Sequence, residues 1–154
     1  MVGQAVRAAA EGRELNAAAY FRAAEFYTFA GDPDKQALYD RFAHHFYRAI
    51  DGDPVSRVRV PFGEATLPGL DVRPAGEPRG TVVLHGGYDS FIEELHPLLR
   101  WLAAAGYRAI GFEGPGQGAV RRRAGLPMDY RWERPVGAVL DHLGLDEVTL
   151  IGLS

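Results

Sequence analysis

Cysteine is absent from the 154-residue sequence, which excludes disulfide bonds, thiolate metal sites and cysteine nucleophiles together. Charge of one sign is not in excess: 17 basic and 20 acidic residues give a formal net charge of −3, so nothing electrostatic favours nucleic acid as a partner. No apolar run approaches the ~20 residues that a membrane-spanning helix needs, and we expect no membrane partner. Charged residues such as Arg7 and Glu11 stand where a signal peptide would have its apolar core, which predicts a cytoplasmic protein.

Glycine and proline are scarce in the first third of the chain and common afterwards. Residues 1–50 hold 13 of the 22 alanines but 3 of the 19 glycines and 1 of the 10 prolines. Good helix formers without breakers predict helices, whereas glycine and proline between short apolar runs predict strands and turns. We therefore expect a helical region over residues 1–52, followed by an α/β region over residues 53–154.

Two helices joined by a short turn are predicted in the first region. One spans residues 16–30 and is closed by Gly31 in a left-handed conformation; the other begins after Asp32 and Pro33 and ends near residue 50. Apolar residues recur at helical spacing on both, which favours packing of the two helices against each other over an aromatic wall above a substrate pocket. The predicted faces are Ala23, Phe26 and Ala30 on the first helix, and Tyr39, Phe42 and Phe46 on the second.

Strand-like and helix-like segments alternate in the second region. A hairpin is predicted from residues 57–62 and 70–73, with its turn marked by Pro61, Gly63, Pro68 and Gly69. Three later runs are continuous and apolar, as is typical of strands buried on both faces of a parallel sheet. Helices between these runs make right-handed crossovers, so the sequence predicts an α/β fold with a doubly wound, mostly parallel sheet. The three strand-like runs cover residues 81–84, 107–112 and 148–152, and the helices cover residues 90–105 and 128–143.

The last predicted strand ends at a serine. Ligands in open α/β sheets bind at the carboxyl ends of strands. Gly152 and Ser154 form the first half of G-x-S-x-G, a sharp turn that lifts a serine oxygen above the sheet. The tripeptide alone is a weak signal, and its plain alternative is a strand-terminal serine that caps a helix. After a buried strand preceded by two strand–helix units, the pattern favours Ser154 as a catalytic nucleophile.

A diglycine follows the first central strand. Glycines let the backbone turn tightly and aim amide N–H groups into the crevice, so Gly87 or Tyr88 is the expected donor of an oxyanion hole. Asp89 has two open interpretations: it caps the next helix beside Ser90, or it is an auxiliary acid that faces substrate. Ser90 with Glu93 forms a predicted capping box for that helix.

Glycines after residue 112 allow a dinucleotide-binding alternative. Gly114, Gly116 and Ala119 satisfy the formula G-x-G-x-x-G/A. However, Gly125 and Pro127 interrupt the helix that this motif should open, and no acidic residue stands ~20 residues later at a strand end to bind a ribose. We therefore predict no cofactor and no metal, and keep a dinucleotide binder as the least favoured alternative.

Three segments taken together resemble the α/β-hydrolase superfamily. Their order and spacing are similar to those of esterase-like and dipeptidyl-aminopeptidase-like bacterial hydrolases, and the resemblance spans roughly residues 16–154. It implies an α/β-hydrolase sheet, incomplete in this chain, preceded by a helical cap. The segments are HGGYDS (residues 85–90), FEGPGQG (residues 112–118) and TLIGLS (residues 149–154).

The resemblance also implies roles for individual residues. Ser154 aligns with the nucleophile, Gly87 and Tyr88 with the oxyanion loop, and Asp89 with an acidic position beside the substrate. Glu113 stands where many relatives have aspartate, and with Tyr88 and Asp89 it is expected to bind substrate. No cofactor is implied.

The implied activity is that of a serine hydrolase acting on an ester, an amide or an activated carbon–carbon bond through an acyl-enzyme. The triad acid and histidine follow the nucleophile in this family, so we expect them in further sequence or on a second chain. A homodimer contact through the helices is a further expectation. The alternative is a hydrolase-like fragment without catalysis that serves as a binding or interaction module.

Overall fold

A computed structural model describes residues 1–153, and predictions that concern Ser154 lie outside the described residues. The chain divides into two compact units, Met1–Asp53 and the residues from Pro54 onward.

The first unit contains helices α1 (Val2–Ala10), α2 (Glu14–Phe26) and α3 (Asp34–Ala49). Helix α2 packs against both of the others. Helix α3 has nearly its predicted bounds, and Asp32 accepts a hydrogen bond from the Asp34 N–H at 2.8 Å in its first turn. Helix α1 was not predicted, because it buries only Ala5 and Ala8 and so lacks a stripe of large apolar residues.

The predicted end of α2 was wrong. The helix stops at Phe26, and Gly31 is not in a left-handed conformation. Instead, the Lys35 ammonium group donates hydrogen bonds to the carbonyl oxygens of Glu25 and Thr28 at 2.5 and 2.6 Å. A helix leaves its last carbonyls without intrahelical partners, and here a lysine from α3 binds one in the last turn of α2 and another just beyond its end.

The predicted apolar face is confirmed for α3 and wrong for α2. Tyr39, Phe42 and Phe46 are all buried. On α2, Phe26 is 49% exposed, and the buried residues include Glu25, which pairs with Arg22 and Lys35 at 2.8 and 3.2 Å. A charged residue in a core position breaks the hydrophobic period, so the true face was not visible in the sequence. That face consists of Ala17, Ala18, Phe21, Ala24 and Glu25.

The second unit is a sheet with helices on both of its faces. The strand order is β1-β2-β4-β3-β5; β4 and β5 both run parallel to β3, whereas the β1–β2 and β2–β4 pairings are antiparallel. The predicted α/β class and doubly wound arrangement are confirmed, with a mixed sheet. Its elements are β1 (Val55–Phe62), β2 (Ala65–Val72), β3 (Thr81–His85), α4 (Ile92–Ala104), β4 (Arg108–Phe112), α5 (Gly118–Ala124), α6 (Glu133–Leu143) and β5 (Thr149–Gly152).

The period of two along each strand divides the core into two layers. Helix α4 packs on one face, where Leu99 lies so close to β4 that a Cβ at Gly111 would be 3.1 Å from its Cδ1 atom. Helices α5 and α6 pack on the other face. The core there consists of Val60, Leu67, Val83, Ile110, Phe112, Val120 and Val139.

Three details of this unit differ from the predictions. The hairpin turns at Gly63, where φ is +58°. Pro61 lies inside β1, and Pro68 and Gly69 lie inside β2. Helix α6 begins at Glu133 rather than near residue 128. Strand β5 was predicted to be buried, but Leu150 is 49% exposed, because among the described residues β5 pairs only with β3.

Candidate active site

The carboxyl ends of the three parallel strands lie side by side at one edge of the sheet. Residue pairing brings Leu84 beside both Gly111 of β4 and Ile151 of β5. Just past β5, the Leu153 N–H donates a hydrogen bond to the His85 carbonyl oxygen at 3.0 Å. The residue before Ser154 is therefore fixed against the residue that precedes the diglycine.

The loop after β3 folds back on itself through Ser90. The Gly87 N–H donates to the Ser90 Oγ at 3.2 Å, and a Cβ at Gly86 would overlap the Ser90 side chain. Glycine at position 86 is thus required by the close approach of the loop to its own end.

The predicted capping box of α4 is displaced by one residue. The helix begins after Phe91, whose N–H donates to the Glu94 carboxylate at 2.9 Å. The predicted pair, Ser90 and Glu93, lies one residue earlier in the chain. The prediction therefore located the start of the helix correctly to within one residue. Ser90 holds the loop rather than the helix.

Tyr88 and Asp89 form the exposed turn of the loop. The Tyr88 side chain is 56% exposed, and its hydroxyl accepts a hydrogen bond from the Arg121 guanidinium group of α5. Asp89 is also exposed. This position is compatible with both interpretations of Asp89, which remain predictions.

Gln117 connects the loop after β4 to the diglycine loop, and sequence reasoning missed it. Its side chain is 2% exposed. Its amide nitrogen donates to the carbonyl oxygens of Gly86 and Gly87 at 2.5 and 3.0 Å, and its amide oxygen accepts from the Gly114 N–H at 3.0 Å. Gln117 stands between Gly116 and Gly118, and a polar residue in that position is typical of an exposed loop. The sequence near it does not indicate that its partners lie in the diglycine loop.

Glu113, which was predicted to bind substrate, does not face the surface. It is buried, and its two carboxylate oxygens accept hydrogen bonds from the Ile92 N–H at 3.1 Å and the Ala119 N–H at 2.6 Å. Those two groups lie in the first turns of α4 and α5, where N–H groups lack intrahelical partners. Glu113 therefore satisfies the starts of two helices.

Burial raises the pKa of the Glu113 carboxyl group to about 8, and the nearby Glu93 adds to the rise, while the two N–H donors oppose it. The folded protein then keeps a proton on Glu113 over a range in which the unfolded chain, with its carboxyl pKa of 4.5, has lost it. The stability contributed by this proton is complete below pH 4.5 and is lost as the pH rises toward 8.

We expect a Glu113→Gln variant to show a flatter dependence of unfolding free energy on pH than the wild type. Between pH 5 and 8 the wild type should lose stability relative to the variant, by at most about 1.4 kcal/mol per pH unit. Denaturant titrations at several pH values, followed by fluorescence, measure this difference. Glu64→Gln, at an exposed turn position, is the matched control, and parallel profiles for wild type and Glu113→Gln would contradict the expectation.

Comparison with known proteins supports a hydrolase scaffold. No protein-family model matches the chain. It is 34% identical to Hydrolase acrC of Aspergillus aculeatus over 95% of this chain and 41% of that protein. It is 36% identical to Alpha/beta hydrolase psoB of Aspergillus fumigatus over 89% of this chain and 34% of that protein. The chain thus spans well under half the length of these curated relatives.

Solved structures resemble the whole described chain. The wild-type AbyA5 structure matches with a TM-score of 0.82 at 22% identity, over 99% of this chain and 44% of its own. The crystal structure of 2,6-dihydroxy-pseudo-oxynicotine hydrolase matches with a TM-score of 0.70 at 23% identity, over 98% of this chain and 46% of its own. The chain has the α/β-hydrolase fold. The named sequence relatives are fungal, so the bacterial esterase subgroup remains a prediction.

Within this α/β-hydrolase fold, the glycines after β4 contact protein atoms. A Cβ at Gly114 would lie 2.7 Å from the Trp132 ring, and one at Gly116 would lie 2.5 Å from the Met128 Cβ. The helix that follows, α5, has seven residues. Internal packing therefore explains these glycines without a pyrophosphate, which counts against the dinucleotide alternative.

Two further observations concern residues 1–153. They contain no cluster of three or more histidine and acidic side chains with the geometry of a metal site. None of their helices combines the length and apolar character that crossing a membrane demands.

Proposed function

We propose that this chain is the nucleophile-bearing part of a serine hydrolase that cleaves acyl substrates through an acyl-enzyme. Ser154 supplies the attacking hydroxyl, and the diglycine loop supplies an N–H donor for the oxyanion. The observation that carries the proposal is the hydrogen bond from the Leu153 N–H to the His85 carbonyl oxygen, because it holds the neighbour of Ser154 beside that loop. The hydrolase names of the fungal relatives support the reaction class.

A serine hydroxyl is a weak nucleophile until a histidine accepts its proton and a carboxylate orients that histidine. Attack of the Ser154 Oγ on the substrate carbonyl carbon gives a tetrahedral oxyanion. Collapse breaks the bond to the leaving group, which takes the proton from the histidine, and leaves an acyl-enzyme. Water, deprotonated by the same histidine, then releases the acid product and free serine. The histidine and its carboxylate come from the rest of the whole protein or from a second chain.

The oxyanion donor in this proposal is the Tyr88 N–H rather than the Gly87 N–H. The Gly87 N–H already donates to the Ser90 Oγ. Among the described residues, no acceptor pairs with the Tyr88 N–H, which leaves it available for a developing negative charge. Residue 155 would supply a second donor, and loss of one such donor typically costs about 2.7–4 kcal/mol of transition-state stabilisation.

Substrate contacts are proposed for Tyr88 and Asp89, which form the exposed turn of the same loop. Their polar groups suit an ester, an amide or an activated ketone as the electrophile.

An interaction module remains the second candidate. Tyr27 and Phe29 in the helical unit are 73% and 87% exposed, and exposed aromatic side chains are common at protein interfaces. The partner in this second candidate is another copy of the chain, which would bind through these helices to form a homodimer.

A fluorophosphonate probe applied to the whole protein separates the two candidates. The chain has three serines, and we expect one equivalent of label on Ser154, identified by peptide mass spectrometry. Ser154→Ala should abolish that label, while Ser56→Ala, at an exposed position in β1, should leave it unchanged. Absence of label from the folded whole protein would contradict the hydrolase proposal and favour the interaction module.

A further inference from the structure

We propose that Gln117 is the positioning residue of the oxyanion donor: its amide group, bound to the carbonyl oxygens of Gly86 and Gly87, sets the direction of the Tyr88 N–H. This inference rests on the proposed serine hydrolase function. It assigns a role to a buried side chain that lies outside the loop it controls.

The link from Gln117 to the Tyr88 N–H is the peptide bond itself. The carbonyl of Gly87 and the N–H of Tyr88 belong to one planar unit. No peptide bond among the described residues is cis, so this carbonyl and this N–H point in opposite directions. A donor that holds the Gly87 oxygen at 3.0 Å therefore aims the Tyr88 N–H to the opposite side.

The preceding peptide unit is held at both ends. Its oxygen, on Gly86, accepts from the Gln117 amide nitrogen at 2.5 Å, and its N–H, on Gly87, donates to the Ser90 Oγ at 3.2 Å. Two successive peptide units thus have three of their four polar groups engaged with described residues. The fourth is the Tyr88 N–H.

Within the loop, the Gly87 carbonyl oxygen also accepts a hydrogen bond from the Ser90 N–H at 3.4 Å. The bond from Gln117 to the same oxygen is shorter, at 3.0 Å, and adds a support from outside the loop. Glycine lacks the Cβ that restricts φ and ψ, so two successive glycines leave the direction of the following amide poorly determined. The same freedom allows both carbonyls to turn toward one side chain. Gln117 removes that freedom without adding a side chain to the loop, where Ser90 leaves no space for a Cβ at Gly86.

Gln117 is itself fixed. Its amide oxygen accepts from the Gly114 N–H at 3.0 Å, so the amide cannot be flipped without placing its oxygen against two carbonyl oxygens. Two residues further on, the Ala119 N–H donates to Glu113 at 2.6 Å, which fixes the backbone on the other side of Gln117. The support therefore belongs to the rigid segment between β4 and α5.

The hydrogen bond to Gly87 also strengthens the donor. Donation to a carbonyl oxygen polarises the peptide unit, which makes the N–H at its other end a better donor. A donor already aimed at the position of the oxyanion contributes mainly to the transition state, where the charge develops. Loss of Gln117 should accordingly lower kcat and leave KM nearly unchanged.

The test uses two variants of the whole protein. Gln117→Met keeps the length of the side chain but removes the donor; we expect kcat to fall 10- to 100-fold, KM to stay within twofold, and fluorophosphonate labelling of Ser154 to slow as much as kcat falls. Gln117→Glu can donate to the carbonyls only while its carboxyl group is protonated. Its activity relative to wild type should therefore fall as pH rises, whereas that of Gln117→Met should not vary with pH.

The control is Gln4→Glu, which adds the same charge at an exposed position in α1 and should keep activity within twofold of wild type at every pH. If Gln117→Met folds and has the wild-type kcat and labelling rate, the positioning role is overturned, but the proposed serine hydrolase function is not. A pH-independent ratio for Gln117→Glu would also overturn the positioning role, and decides the matter if Gln117→Met does not fold. Absence of label on wild-type Ser154 would instead show that the proposed function has failed.

Discussion

Replacement of Ser154 by alanine is expected to lower kcat of the whole protein about 10⁴- to 10⁶-fold, with KM changed only a few-fold. The reason is that the variant lacks the atom that forms the covalent bond. The oxyanion donors and the substrate contacts remain, so hydrolysis above the rate in water should persist at a low level. Steady-state kinetics with an activated acyl ester, together with active-site titration, measure both parameters.

The control for this experiment is the replacement of a serine that lies outside the proposed site. Ser56 lies in β1 with an exposed side chain, and Ser56→Ala should keep the wild-type kcat. A Ser154→Ala protein that retains more than a few per cent of wild-type kcat, after contamination is excluded by titration, would show that another group is the nucleophile.

The parts of the fold that could be predicted are those where apolar residues follow a simple period. In the helix predicted over residues 90–105, which corresponds to α4, Ile92, Leu95 and Leu99 recur at helical spacing, and all three are buried. The continuous apolar runs indicated β3 and β4, which are parallel neighbours with buried residues on both faces. In both cases burial depends on the segment's own pattern, and a single sequence contains that information.

The errors concern residues whose burial depends on partners from other segments. Glu25, Glu113 and Gln117 are all buried, yet each has the composition of a surface residue. Their positions are acceptable because a buried polar group is stable when its hydrogen bonds are satisfied, and here each group has at least one partner from another helix or loop. Hydrophobic periodicity treats such residues as exposed, which is why the predicted face of α2 was wrong and the burial of Glu113 was not predicted.

In the candidate site, too, the features that depend on a segment's own sequence were predictable, and a contact between segments was not. The glycines of the diglycine loop and the end of the last strand were found because turn chemistry is local. The ends of β3 and β5 were both predicted as site positions, and the structure places Leu153 beside His85. Gln117 could not be found in this way, because its contribution is a contact between two loops that are 30 residues apart in the chain.

A Gly118→Ala substitution is expected to destabilise the protein by about 2–6 kcal/mol, the sum of an overpacking effect and a backbone strain that are each of order 1–3 kcal/mol. A Cβ at this position would overlap the carboxyl group of Glu113, which is buried and held by two N–H donors. Moreover, φ at Gly118 is +27°, a value that disfavours any L side chain. Denaturant unfolding followed by the fluorescence of Trp132 measures the loss.

Two other glycines of the same unit separate the two contributions. Gly125 has φ of +67° but no atom within 4 Å of the place that a Cβ would occupy, so Gly125→Ala should show the backbone strain alone. Gly137 lies inside α6, with neither a left-handed φ nor a close neighbour, and Gly137→Ala should stabilise the protein by about 0.5–1 kcal/mol. If Gly118→Ala were no more destabilising than Gly125→Ala, Glu113 would have room to move, and the rigid support inferred for Gln117 would lose its anchor.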